Sequence, residues 1–171
     1  MLKLVLLIVS SMLLNSCASL LGVSISAEDA ARVKSDSIPI LITRLQRTSP
    51  NSAGGVDVRV NYANTSGKRF KYVVFTVKPF NAVGDLVSSD IGSKVFARLN
   101  DTGPIKTREN WDYHGGQDGG LWANVWYNNS ISCIELVGVE ITYMDGDKIS
   151  FDKDGISSIL VSSISNSCEV D

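Results

Sequence analysis

Between Val56 and Tyr62 the chain alternates without a break: Val56, Val58, Val60 and Tyr62 are apolar, while Asp57, Arg59 and Asn61 between them are polar. Successive side chains of an extended strand point to opposite faces. A period of two therefore buries one row and leaves the other in water, the pattern of a half-covered antiparallel strand. Similar segments recur along the chain. Residues 38–45 are β-rich, and Pro39 suits a first, edge strand because it cannot donate to a ladder. Residues 70–77 are apolar on both parities, as expected of a strand covered on one side and partly on the other. A shorter strand is predicted over 94–99 and another over 121–127. Over 134–144 the apolar parity slips from Ile134 and Leu136 to Val137, Val139, Ile141 and Tyr143, which predicts a β-bulge near Gly138. Turn-forming clusters at 51–55, 64–67 and 81–85 separate these segments, with Leu86-Val87 after the last. Asp145-Gly146 predicts a two-residue hairpin turn into 148–151. Ile156, Ile159, Leu160, Val161 and Ile164 read as a last strand, although their spacing also fits one helical face. Short strands, frequent turns and no internal repeat predict an all-β fold, an antiparallel β-sandwich.

The N-terminus has a different character. Met1-Leu2-Lys3 is followed by an apolar run over 4–14 that only Ser10 and Ser11 interrupt. The run is about half of the roughly 20 residues that a membrane-crossing helix needs, and a basic start with an apolar middle is the layout of a signal peptide. Leu14-Asn15-Ser16-Cys17 resembles the lipobox of bacterial lipoproteins. That resemblance implies a signal peptide over 1–16, cleavage before Cys17 and lipidation of Cys17. Residues 17–37 are then a tether, and 38–171 the folded domain. Within the tether, Ser26 three residues before Asp29 resembles a capping box and predicts a short helix over 27–34. The implied address is the cell envelope, with attachment to the membrane through the lipid. In a Gram-negative cell this is the outer membrane, since Ala18 rather than Asp follows the cysteine. Otherwise it is the outer face of the cytoplasmic membrane.

The 171 residues include 16 Lys and Arg against 18 Asp and Glu, and removal of residues 1–16 takes away Lys3 alone. Charges of both signs are interspersed, with no basic stripe of the kind a nucleic-acid partner requires, so no nucleic-acid binding is expected. A hydrophobic fraction of 44% suffices for one core of its own. With Cys17 assigned to lipid, Cys133 and Cys168 remain as an even pair in an exported chain and are expected to form a disulfide. Nothing basic flanks Cys133 to favour a reactive thiolate.

Residues 56–64 with Ser66 and Lys68, 72–81 with Gly84-Asp85, 122–128 and 139–146 together resemble the immunoglobulin-like domains of secreted bacterial proteins, in particular the FxLYD-like group. The resemblance spans 55–146. It implies an immunoglobulin-like sandwich and an accessory module with no catalytic residue to carry over.

Gly115 and Gly120 have the spacing of a phosphate loop, but Leu121-Trp122 stands where Lys and Ser or Thr would be needed. His114 is the single histidine, and no Gly-x-Ser-x-Gly elbow accompanies it. Asp145, Asp147, Asp152 and Asp154 crowd together, yet an EF-hand register would put Ser150 first and Val161 last, so a solvated turn is expected in place of calcium. No metal or cofactor is expected. Residues 100–120 form a long, glycine-rich polar stretch beside the aromatic group Trp111, Tyr113, Trp122, Trp126 and Tyr127. Trp122, Asn124 and Trp126 would share one strand face, either as core or as a binding surface. A partner surface is expected at Trp111, Tyr113 and His114, with Trp126 packed inward. The expected function is a non-catalytic interaction module for an envelope protein or glycan. The alternatives are an envelope hydrolase using Asp112, His114 and Asp118, or a purely structural lipoprotein.

Overall fold

The computed structural model describes residues 25–107 and 118–168. Among the described residues seven strands form two antiparallel sheets: β1 Ile40–Arg47, β2 Gly55–Asn64, β3 Phe70–Phe80, β4 Ala97–Ile105, β5 Asp118–Tyr127, β6 Cys133–Tyr143 and β7 Lys148–Phe151. The order is β1-β2-β5 in one sheet and β4-β3-β6-β7 in the other. Counted as A, B, E against C′, C, F, G, this is an immunoglobulin-like sandwich whose fourth strand lies beside C instead of E. The ladder between β3 and β4, from Phe70 opposite Ile105 to Val77 opposite Ala97, fixes that placement. Val56, Val58, Val60 and Tyr62 are fully buried against Phe70, Val73, Phe75 and Val77 of the facing sheet, and Arg59 is exposed. As its composition predicts, β3 is covered on one face and half-open on the other.

The expected bulge in β6 is present. Thr76 pairs with Gly138 and Val77 with Leu136, so Val137 is the extra residue and the inward parity changes there. The first strand is an edge strand, as Pro39 implied. Cys133 and Cys168 are disulfide-bonded, with Cα atoms 5.7 Å apart.

Several local expectations are corrected. The β6–β7 turn has three residues, Met144 to Gly146, closed by Tyr143 N–H to Asp147 O at 2.9 Å, with Gly146 at φ +97°. A left-handed glycine after the turn converts a two-residue loop into this longer form. The shorter strand expected over 94–99 starts at Ala97 and runs on to Ile105, into the stretch expected to be loop. Its ladder partner β3 accounts for this, since an edge strand tolerates Pro104 and outward polar residues. The last apolar segment begins as a helix, α2 Lys153–Ile159, where Asp152 caps the N-terminus by accepting from Gly155 N–H at 3.1 Å. Ile156 and Ile159 are one turn apart and both buried.

Residues 25–37, expected to be tether, also pack on the sandwich. Helix α1, Ala27–Ser35, is capped by Ser26 and buries Val33, and Ile25 before it is also buried. Helix α2 touches β6, β1 and β7, so it closes the flank where β1 of one sheet approaches β6 of the other. Arg32 of α1 binds the carbonyls of Ser158 and Leu160, the latter at 2.6 Å, which fastens α1 over the same flank.

The sandwich has two ends. At the near end lie the β2–β3 and β6–β7 turns, the last residue of β4, the first of β5 and the C-terminus of α1. At the far end lie the β1–β2 turn, the 81–96 connection and the β5–β6 turn.

Candidate interaction surface

Strands β4 and β5 are free edges of different sheets, lying together on the flank opposite the helices. Two side chains lock β4 onto the other sheet, one from β2 and one from β5. The Tyr62 ring is buried 5.3 Å from the Phe75 ring, and its hydroxyl donates to Asp101 Oδ2 on β4 at 2.9 Å. Burial pushes the Tyr62 pKa up, and the carboxylates of Asp101 and Asp118 push it further, so the group stays a proton donor. Trp122 of β5 meets Phe75 edge-on at 6.1 Å, and its indole N–H donates to the Asn100 carbonyl at 3.3 Å.

The last residue of β4 is held in the same way. The buried Asn64 amide donates to the Lys68 carbonyl at 2.9 Å and to the Ile105 carbonyl at 3.2 Å, while its oxygen accepts from Ser66. At the start of β5, Gly119 adopts φ +103°, and a Cβ there would overlap the Val60 carbonyl. Only glycine allows so close an approach in that conformation. The two points between which residues 106–117 connect are therefore rigid.

The expected binding residues Trp111, Tyr113 and His114, together with Asp112 and the expected lipidation site Cys17, lie outside the described residues. Asp118 is described; it opens β5 opposite Tyr62. The aromatic face expected from Trp122, Asn124 and Trp126 is divided. Trp126 is fully buried, Trp122 is half-buried against the core, and Asn124 is exposed. Val56 pairs with Trp126 and Val58 with Trp122, so the intervening residues 123–125 bulge outward, with Asn124 at φ 49° and its N–H on Asp57 Oδ1 at 2.8 Å. Simple alternation misses that bulge.

The aspartates expected in a solvated turn have defined roles. Lys68 bridges Asp145 at 2.7 Å and Asp147 at 2.6 Å while standing 5.5 Å over the Tyr143 ring, tying the two near-end turns together. The hydrogen bonds from Lys68 hold the Asp145 carboxyl below its usual range, and those to Asp145 and Asp147 raise the lysine. Beside them is a groove of about 500 Å³ lined by Val33, Ser37, Thr65, Lys68 and Tyr143. Sequence reasoning missed two buried polar links, Tyr62 to Asp101 and Asp29 to Ser162, because a period-two pattern carries no signal for a contact between sheets or across the chain. No family model, curated protein or solved structure matches the chain.

Proposed function

We propose that the protein is a lipid-anchored module of the bacterial cell envelope that binds an envelope protein or glycan without catalysing a reaction. The observation that carries this reading is the clamped pair of edges. Tyr62–Asp101 ties β4 to β2 and Trp122–Asn100 ties it to β5, so the connection bearing Trp111, Tyr113 and His114 leaves and re-enters a braced frame. Binding residues concentrate on long connections presented by such scaffolds. The Leu14-Asn15-Ser16-Cys17 segment supports the anchor, and the Cys133–Cys168 disulfide supports an oxidising compartment. Kinship with the FxLYD-like domains belongs to the same proposal and rests on residues 55–146. The outer membrane is the address in a Gram-negative cell, and the outer face of the cytoplasmic membrane in any other.

The test is to crosslink the lipidated protein in its native envelope, identify the bound protein or glycan, and measure its affinity for wild type and Trp111→Ala. Truncating an aromatic anchor typically costs about 2 kcal/mol or more, so affinity should fall at least about thirtyfold with the fold unchanged. An intact affinity removes the proposed surface. Turnover of an envelope substrate that His114→Ala abolishes would replace this reading with the hydrolase.

A further inference from the structure

Five of the nine large hydrophobic residues exposed among the described residues fall in one connection, 81–96: Val83, Leu86, Ile91, Val95 and Phe96. Val83 is 70% and Ile91 63% exposed, and each sits in a tight turn with a left-handed glycine beside it, Gly84 and Gly92. The turns are built. Asn81 accepts from Val83 and Asp85 N–H, Ser89 N–H bonds the Lys94 carbonyl, and Asp90 N–H bonds the Tyr127 carbonyl at 2.7 Å. Apolar side chains held outward in this concentration mark a contact surface.

We propose that this connection seats in the headgroup boundary of the lipid bilayer that carries the anchor, and so orients the sandwich with its far end toward the membrane. The proposal rests on the anchored reading above. Three observations select the bilayer as occupant. First, Leu160 pairs with Ile42 in parallel, and Ser162 beyond it meets Asp29, while Ile38 meets Thr65 at the near end. Helix α1 thus runs antiparallel to β1, and its N-terminus points toward the far end. Second, eight peptide steps separate Cys17 from Ile25, a span of at most roughly 29 Å. The anchor therefore keeps the domain close to the bilayer, and the connection has only to orient it, for which weak apolar contacts suffice once attachment is intramolecular. Third, the ends differ in charge. The near-end turns carry Lys68, Asp145 and Asp147, whereas the far-end turns 48–54 and 128–132 contain no Asp, Glu, Lys or Arg. Asp85, Asp90 and Lys94 are interspersed with the apolar positions and would lie at the wet headgroup level. In this orientation the near end, where β4 ends and β5 begins, faces away from the membrane.

The experiment uses the full lipidated protein reconstituted into vesicles of phosphatidylethanolamine and phosphatidylglycerol. With Cys17 acylated and Cys133 bonded to Cys168, Ile91→Cys supplies a single thiol for an environment-sensitive fluorophore, and Gly67→Cys supplies the near-end control. Val83→Cys replaces the first site if that variant fails to fold. The expected result is a blue shift and quenching by acyl-chain spin labels at Ile91, with neither at Gly67. No quenching at Ile91, with lipid confirmed on Cys17 by mass spectrometry, overturns the proposal and leaves the anchor standing. A blue shift that lipid quenchers do not touch and that grows with protein density overturns it in favour of a second copy of the chain. Absence of lipid on Cys17 removes the anchored reading, and the proposal with it.

Discussion

The carboxylate of Asp29 accepts the backbone N–H of Ser162 at 3.1 Å and its hydroxyl at 3.0 Å, across 133 residues of chain. Ser26 and Arg32 donate to the same carboxylate at 2.8 and 3.1 Å. This buried group joins α1 to the segment that follows α2 and completes the helical flank.

The first prediction follows from that contact. Burial alone would raise the Asp29 pKa, but the hydrogen bonds from Ser26, Arg32 and Ser162 outweigh it and hold the pKa below its ordinary value of 3.8. A depressed pKa means that the stabilisation is complete above that ordinary value and is lost as pH falls through the folded-state one. Asp29→Ala should cost about 2 to 3 kcal/mol at neutral pH, the worth of hydrogen bonds to a buried charge. Urea unfolding should show the gap between wild type and variant narrowing below about pH 4, near the carboxyl range. A gap independent of pH would mean that the ionised form is not the stabilising one.

Trp126 is fully buried, and its indole N–H has no hydrogen-bond partner among the described residues. Trp126→Ala should destabilise the domain by roughly 3 to 5 kcal/mol, as expected for emptying an aromatic core site. Trp126→Phe gives up ring volume but no hydrogen bond, so it should cost about 1 to 2 kcal/mol. Equal losses in chemical denaturation would show that the indole N–H is bonded after all.

The Cys133–Cys168 bridge closes a separation of 35 residues. Loop-closure entropy for that length corresponds to roughly 3 to 4 kcal/mol, so reduction should lower the urea midpoint accordingly. The C-terminal segment should nevertheless stay docked. Asn166 exchanges two hydrogen bonds with the Leu136 backbone at 2.8 and 2.9 Å, and Cys168 N–H donates to Glu135 at 3.0 Å. Hydrogen exchange on the reduced protein checks this: loss of protection at Leu136 would contradict it.

Gly119 stands in β5 hard against the Val60 carbonyl of β2. Gly119→Ala should cost about 2 kcal/mol or more, combining a strained positive φ with overlap on the Val60 carbonyl. Thermal unfolding measures that cost. Gly67, with open space around the position of a Cβ, should accept alanine with little change.

Sequence alone determined the features that local periodicity encodes. The row Val56, Val58, Val60 and Tyr62 had to face a core, because a period of two has one apolar face. The parity slip from Leu136 to Val139 required an extra residue, found at Val137. An even cysteine pair pointed to a bridge between Cys133 and Cys168. Tertiary structure decided what depends on neighbours. Residues 100–105 have a loop-like composition, and they form a strand because β3 offers its open side as a ladder. Ile156 and Ile159 fit either period; the Asp152 cap and packing against β1 and β6 select the helix. Alternation puts Asn124 on the face of Trp122 and Trp126, yet it is exposed because the bulge at 123–125 carries it outward. The joining of β4 to β2 by Tyr62 and to β5 by Trp122 has no local signature, since residues far apart in the chain supply each partner. Local pattern sets which face of a segment is apolar, whereas what covers that face is set by contacts that form only when distant segments meet.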